Sequence, residues 1–184
     1  GDRRAEISEN VGNGGLAVKK EFRIGKRMVG ENHPVMCVAE MSGNHLKDYG
    51  RAVEIIHAAK EAGADAVKLQ TYTADSLSLD CENEYFQIHG GLWDGMTEYK
   101  LYEEAFTPWE WQPKLKELAE SLGMECFSSP FDSVSVEFLK DCDMPAYKVA
   151  SYEINDIPLI RKIAALHKPV IFATGIAHLE DIER

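Results

Sequence analysis

The stretch EAGADAVKLQTYT, Glu61–Thr73, passes from the end of a helix through a glycine into an apolar run that finishes on a lysine and a glutamine. Upstream, Ala52, Ile55, Ile56, Ala59 and Ala62 recur at helical spacing, and Gly63 stands where a helix is closed by a left-handed residue. Ala64–Leu69 (ADAVKL) is then nearly continuous in apolar residues, the pattern of a strand covered on both faces. Lys68 and Gln70 fall at its C-terminal end. Helix, cap, doubly covered strand and polar terminus together make one β/α repeat.

The same unit returns along the chain. Further strand candidates are Val35–Ala39 (VMCVA), Glu125–Ser128 (ECFS), Ala146–Ala150 (AYKVA) and Pro169–Ala173 (PVIFA). Thr107-Pro108-Trp109-Glu110 reads as a capping box with proline first, and Gly123 closes that helix. Pro113 sits early inside it, which predicts a kink or a later start. Asp132 caps the next helix with Phe131 stapling onto Val136, and Asn155 or Asp156 caps the one marked by Ile157, Ile160 and Ile163. Repeated strand-helix units with short loops imply parallel strands, so the class is α/β. No G-x-G-x-x-G follows the opening strand, as a doubly wound nucleotide-binding sheet would require.

Polar residues instead gather at strand ends: Glu40, Lys68 and Gln70, Ser128 and Ser129, Lys148 with Ser151 and Glu153, and Thr174. A ring of chemistry at that end belongs to a (β/α)8 TIM-type barrel. Eight units take about 250 residues, and the 184 residues here supply about five. Residues 35–184 therefore read as the incomplete N-terminal portion of a barrel, with the remaining strands expected beyond this chain. Residues 1–34 form an N-terminal extension. Its first twenty residues are rich in Gly, Asn and charge and read as mobile, while Glu21–Gly30 reads as a hairpin turning at Gly25-Lys26 that would plug the barrel's N-terminal end. Thr71–Phe106 is far longer than an ordinary βα loop and carries Tyr72, Tyr85, Trp93, Tyr99 and Tyr102, which suits a lid or binding element.

Composition narrows the partners. The formal charge is -11, with 31 acidic against 20 basic residues, and the basic ones are scattered, which argues against nucleic acid and anionic membrane. No run approaches a membrane span, and the charged N-terminus lacks a signal peptide's apolar core, so the expected location is cytoplasmic. Cys37, Cys81, Cys126 and Cys142 form no C-x-x-C pair and read as reduced.

The ordered motifs AEMSGNH (Ala39–His45), EAGADAVKLQTYT, FSSPFD (Phe127–Asp132), YKVASYE (Tyr147–Glu153), DIPLI (Asp156–Ile160) and KPVIFATGI (Lys168–Ile176) resemble the sialic acid synthase family, the phosphoenolpyruvate-dependent nonulosonate synthases. The resemblance runs from about Val35 to Arg184. The insert LWDGMTEYKLYEEAFTPWEW (Leu92–Trp111) is most similar to the pseudaminic acid synthase branch. The resemblance implies condensation of phosphoenolpyruvate with the aldehyde of an N-acylated amino sugar, giving a nine-carbon 2-keto acid and phosphate. It implies a divalent metal, manganese or magnesium, whose histidine ligands lie beyond Arg184, so that this chain alone would be inactive. It also implies a C-terminal antifreeze-like domain and a homodimer.

By the same resemblance, Lys68 and Lys148 bind the phosphate and carboxylate, with Ser129, Ser151 and the Thr174 region adding hydrogen bonds. Glu40 would hold the sugar and Glu153 would serve proton or water chemistry, roles that could be exchanged. Asn44 and Gln70 join the substrate-binding set, with Asn44 and His45 contacting sugar or ordering their loop. Ala173 and Ile176 stand where the family more often has Ser and Met, which removes one hydroxyl contact. Three rival readings stay open: an N-acetylneuraminate synthase, a related synthase taking a phosphorylated aldose, and a non-catalytic sugar-phosphate-binding fragment. At the residue level, the competing reading pairs Glu40 or Glu153 with a lysine merely to order the strand ends.

Overall fold

The computed structural model describes residues 20–183. The mobile stretch expected over the first residues lies outside them. A hairpin opens the described chain, β1 (Glu21–Ile24) pairing antiparallel with β2 (Arg27–Gly30) around Gly25-Lys26. Five parallel strands follow in sequence order: β3 (Val38–Glu40), β4 (Ala66–Thr71), β5 (Glu125–Pro130), β6 (Tyr147–Val149) and β7 (Val170–Phe172). Helices fill the intervals: α1 (Tyr49–Glu61), α2 (Ala74–Leu77), α3 (Glu98–Ala105), α4 (Gln112–Ser121), α5 (Ser133–Asp141), α6 (Ile157–Ala164) and α7 (Leu179–Glu183). The strands form a half-barrel of consecutive β/α units, as the repeat predicts.

Helix ends follow local chemistry. Gly63 and Gly123 both adopt positive φ, and Ala64 N–H and Met124 N–H reach back to Ala59 and Ala119 carbonyls, closing α1 and α4 in the same way. Asp132 accepts from Ser135 N–H at 2.6 Å, and Asp156 accepts from Leu159 N–H at 3.0 Å, so the two aspartates cap α5 and α6.

Several boundaries differ from the sequence reading, and the larger differences have plain causes. β3 starts at Val38 rather than Val35, because only its last three residues find partners on β4; Val35 is 83% exposed. β4 and β5 run two residues further than expected, held in a six-residue register from Ala66↔Glu125 to Thr71↔Pro130. Thr107-Pro108-Trp109-Glu110 is not a capping box. Trp109–Trp111 is a 3-10 turn, and α4 begins at Gln112 with Pro113 in its first turn, where a missing N–H leaves no bond unmade.

Side chains alternate across each strand and split the interior into two parts. Val67, Leu69 and Cys126 face α1 and α4, packing with Ile56, Leu115 and Ala119. Tyr147 and Val149 face α5 and α6, packing with Val136, Leu139, Leu159 and Ile163. On the opposite face, Ala66, Phe127 and Ala146 meet Ile24 of the hairpin, which therefore covers the N-terminal ends of the strands. Lys26 N–H donates to the Glu125 carboxylate at 2.7 Å, and Arg27 pairs with Asp65, whose second oxygen accepts Cys37 N–H at 2.8 Å. All four cysteines are free, and burial pushes the Cys126 thiol up to about 12. Among the described residues no helix is long and apolar enough to cross a membrane.

The turn at Gly25 has no room for a side chain. Its φ is +56°, and an added Cβ would lie 1.8 Å from a Glu125 carboxylate oxygen. Gly90 has φ +82° but open space around it. Urea denaturation is expected to show Gly90→Ala losing about 1 kcal/mol from backbone strain alone, and Gly25→Ala losing about 1–2 kcal/mol more as the carboxylate is displaced; equal losses would mean that the hairpin contact contributes nothing.

Candidate active site

The parity that sends Val67, Leu69 and Cys126 into the helix layer sends Lys68, Gln70 and Ser129 to the inner face. Register then aligns the strands. Glu40 stands opposite Lys68, Gln70 opposite Ser129, and Ser128 opposite Tyr147, which puts Lys148 one step along, beside Ser129. Glu40, Lys68, Gln70, Ser129 and Lys148 thus share one surface near the C-terminal end of the sheet. Ser128, read from sequence with Ser129, belongs to the other face. Its hydroxyl is 2.7 Å from that of Thr71, which donates to Gln112 Oε1 at 2.8 Å, a buried network tying β4 and β5 to α4.

Lys68 is only 7% exposed and its Nζ is 3.2 Å from Glu40 Oε1, so the ion pair weighed in the sequence reading forms. Glu40 itself is 60% exposed. Lys148 is half-buried. Burial lowers its pKa first and the Lys68 charge lowers it further, against smaller opposing effects of Glu40 and Glu153. The Lys68 and Lys148 charges thus oppose each other across β5, while Glu40 is paired with Lys68.

Glu153 follows β6 on a 3-10 turn, Ser151–Asn155. Burial raises its pKa above the ordinary carboxylate value and Asp156 adds to this, while a bond from its own backbone and Lys148 oppose the rise. Its Oε2 is buried without a hydrogen-bond partner, and so is Ser129 Oγ. Buried polar atoms are nearly always paired, and two exceptions on one surface mark a place where a ligand completes the bonding. Ser151 sits close to Gly175, where an added Cβ would be 3.0 Å from the serine oxygen. Thr174 lines a groove of about 700 Å3 beside α6 with Phe172, Ile157 and Ile160.

The loop after β3 carries Asn44, whose amide donates to Met41 carbonyl at 3.0 Å. Ser42, Leu46 and Lys47 all have positive φ, a strained arrangement of order 1 kcal/mol per residue. His45 holds it. The ring is fully buried, Nδ1 accepts Lys47 N–H at 3.0 Å, and Nε2 is 3.0 Å from Thr107 Oγ1. An accepting Nδ1 leaves the proton on Nε2, so a neutral imidazole donates to Thr107. His45 therefore orders the loop rather than facing a substrate.

Thr107 is one member of a clasp that local sequence did not reveal. Trp109 Nε1 donates to Tyr72 carbonyl at 3.1 Å, Trp111 stands edge-on to His45 and Tyr49, and Gln112 reaches Thr71. These contacts fix the end of the long insert against the strand ends. Between insert and strands lies a cleft of about 480 Å3, lined in part by Asn44, Gln70, Tyr72, Trp93, Tyr102 and Glu153. Among the described residues no group of three His, Cys, Asp or Glu is placed to hold a metal ion. The two mouth carboxylates, Glu40 and Glu153, therefore do not make a metal site by themselves.

Burial lowers the pKa of His45, and the Lys47 charge lowers it further. The unfolded chain, with imidazole near 6.5, then binds the proton more readily than the folded one. Stability from this group is full above about pH 6.5 and is lost as pH falls through the lower folded value. Thermal melts from pH 7.5 to 5 are expected to show that part of the acid loss disappears in His45→Gln; an unchanged slope would exclude the neutral ring as the loop's anchor.

Residues 55–184 match the model of the NeuB family. Pseudaminic acid synthase from Campylobacter jejuni subsp. jejuni serotype O:2 is 51% identical over 148 residues, covering 80% of this chain and 43% of the relative. Pseudaminic acid synthase from Helicobacter pylori is 49% identical, covering 78% and 42%. A crystal structure of N-acetylneuraminic acid (sialic acid) synthetase from Leptospira borgpetersenii, in complex with citrate, superposes with a TM-score of 0.76 at 28% identity, covering 89% of this chain and 52% of that one. The chain thus spans less than half the length of the curated relatives it matches.

Proposed function

The chain belongs to the NeuB family, and from that premise we propose that it forms the phosphoenolpyruvate-binding part of a pseudaminic acid synthase. The observation that carries the reading is the inner surface itself, where two lysines on the strands flanking β5 repel each other beside a serine and a glutamate with unpartnered buried oxygens. A small ligand with several negative charges relieves the repulsion and supplies the missing hydrogen-bond partners.

In this proposal Lys68 and Lys148 hold the phosphate and carboxylate of phosphoenolpyruvate, Ser129 and Ser151 donate to the same anion, and Asn44 and Gln70 bind sugar. The ligand's arrival frees Glu40 from its pair with Lys68 to face the amino sugar. Carbon-carbon bond formation joins the enol carbon to the aldehyde carbon, whose oxygen takes a proton. Water adds at the adjacent carbon, and phosphate leaves to give the 2-keto acid. Glu153, whose carboxyl keeps its proton to higher pH than an exposed glutamate, is suited to that proton traffic.

Identity near one half to pseudaminic acid synthases, against 28% to the sialic acid synthetase structure, favours the pseudaminic branch over N-acetylneuraminate synthesis. We assign the ligands of a manganese or magnesium ion to residues beyond Arg184, and no step above passes through it. A cytoplasmic enzyme acting as a homodimer completes the proposal, since phosphoenolpyruvate is a product of central metabolism.

The test is phosphate release from phosphoenolpyruvate by the full-length protein with manganese, offered diacetamido-trideoxy-altrose and N-acetylmannosamine separately. Release with the first sugar, cut about 100- to 1000-fold in kcat/KM by Lys148→Ala, is the expected result. Equal use of both sugars overturns the branch, and no release with either overturns the reaction. Ser129→Ala removes a hydroxyl that has no partner in the free protein, so its stability should stay within about 0.5 kcal/mol of the parent while KM for phosphoenolpyruvate rises; a large stability loss would make Ser129 structural.

A further inference from the structure

The cleft beside the inner surface has two unlike walls. One is polar and belongs to the strand ends and their loops, with Asn44, Gln70 and Glu153. The other comes from the long insert and is apolar apart from Glu104: Leu77 of α2, then Trp93, and Leu101, Tyr102 and Ala105 along α3. We infer that this cleft is the subsite for the acylated, deoxygenated end of the amino sugar, and that Trp93, Leu101 and Tyr102 set the preference for a substrate lacking a terminal hydroxyl. The inference rests on the proposed reaction and specifies which part of the chain selects the sugar.

Continuity supports it. Gln70 and Glu153 line the cleft and also belong to the strand ends where the aldehyde would react, so a sugar anchored there by its aldehyde extends its far end along α3. The chemistry of the walls matches an acylated sugar: amide groups find partners on Asn44 and Gln70, and the acyl and terminal methyl groups meet Leu101, Trp93 and Tyr102. A hydroxyl against Leu101 or a ring face of Trp93 or Tyr102 would lose water without gaining a bond. The wall is also held in place. Tyr102 stands edge-on to Tyr72 at 5.9 Å, and Tyr72 stands edge-on to Phe131 at 5.5 Å. Thr97 caps α3 by accepting Lys100 N–H, and Tyr99 donates to Asp75 of α2 at 2.9 Å. Ala105 lies so close to Gly43 that an added Cβ there would be 2.9 Å from its carbonyl oxygen.

The experiment compares kcat/KM of the full-length protein for diacetamido-trideoxy-altrose and for the same sugar carrying a hydroxyl on its terminal carbon, in the parent and in Trp93→Ala and Leu101→Ser. Trp93 is 48% exposed, so its replacement keeps the comparison informative should Leu101→Ser fail to fold. The parent should prefer the deoxy sugar by about 10-fold or more, and each folded variant should narrow that preference, raising KM for the deoxy sugar while KM for phosphoenolpyruvate stays within about twofold. A preference unchanged in both variants, with turnover intact in the parent, overturns the subsite and leaves the reaction standing. Absence of phosphate release from the parent with either sugar overturns the reaction and the subsite together.

Discussion

In a parallel sheet whose successive side chains alternate between faces, a strand cannot choose its two surfaces independently. β4 shows the constraint at its plainest. Burying Val67 and Leu69 against α1 and α4 obliges Lys68 and Gln70 to point inward, and a slip of one residue would drive a lysine into the helix layer. β5 repeats the arrangement with Cys126 outside and Phe127 and Ser129 inside, as does β6 with Tyr147 and Val149 outside and Lys148 inside. The apolar packing on one side thereby fixes the register of the charged surface on the other. That surface inherits its placement from the part of the molecule that supplies most of the stability.

The inner surface carries polar groups that the free chain leaves incompletely satisfied. Lys68 has Glu40 as a partner, yet the Lys148 pKa is lowered first by burial and then by its fellow lysine, and Ser129 Oγ and Glu153 Oε2 are buried unpaired. Such a surface stays in shape only if the surrounding backbone is held by other means. The strained loop after β3 is held by His45 and Asn44, and the insert is held by Thr107, Trp109 and Gln112, each tied to a different place around the strand ends. Rigidity is supplied around the site, which leaves the groups within it available to a ligand.

Much of this was legible in the residues. Period and punctuation gave the β/α order, the hairpin turn at Gly25-Lys26, the closure by Gly63 and Gly123, and the caps at Asp132 and Asp156, because each depends on neighbours a few positions away. Errors arose where a distant partner decided the outcome. Thr107 looked like a helix cap, but its hydroxyl is taken by His45, 62 residues earlier. Val35–Cys37 looked like strand because it is apolar, but an edge strand extends only as far as its one neighbour pairs with it. Ser128 and Ser129 looked equivalent, and parity separates them. Thr174 follows β7 as the motif suggests and lines the groove beside α6. The apolar wall of the cleft was hidden because α2, α3 and Trp93 converge only through packing within the long insert.

The hairpin's contact with Glu125 also orders events in time. Lys26 N–H and its acceptor are 99 positions apart in the chain. At about 5–20 residues per second of synthesis, Glu125 reaches the ribosome roughly 5–20 s after Lys26. Through that interval β1 and β2 have no strand ends to rest on, and Ile24 has neither Phe127 nor Ala146 to bury against. The hairpin is thus made well before the strand ends that seat it, and the nascent chain carries it unsheltered until the middle of the sheet exists.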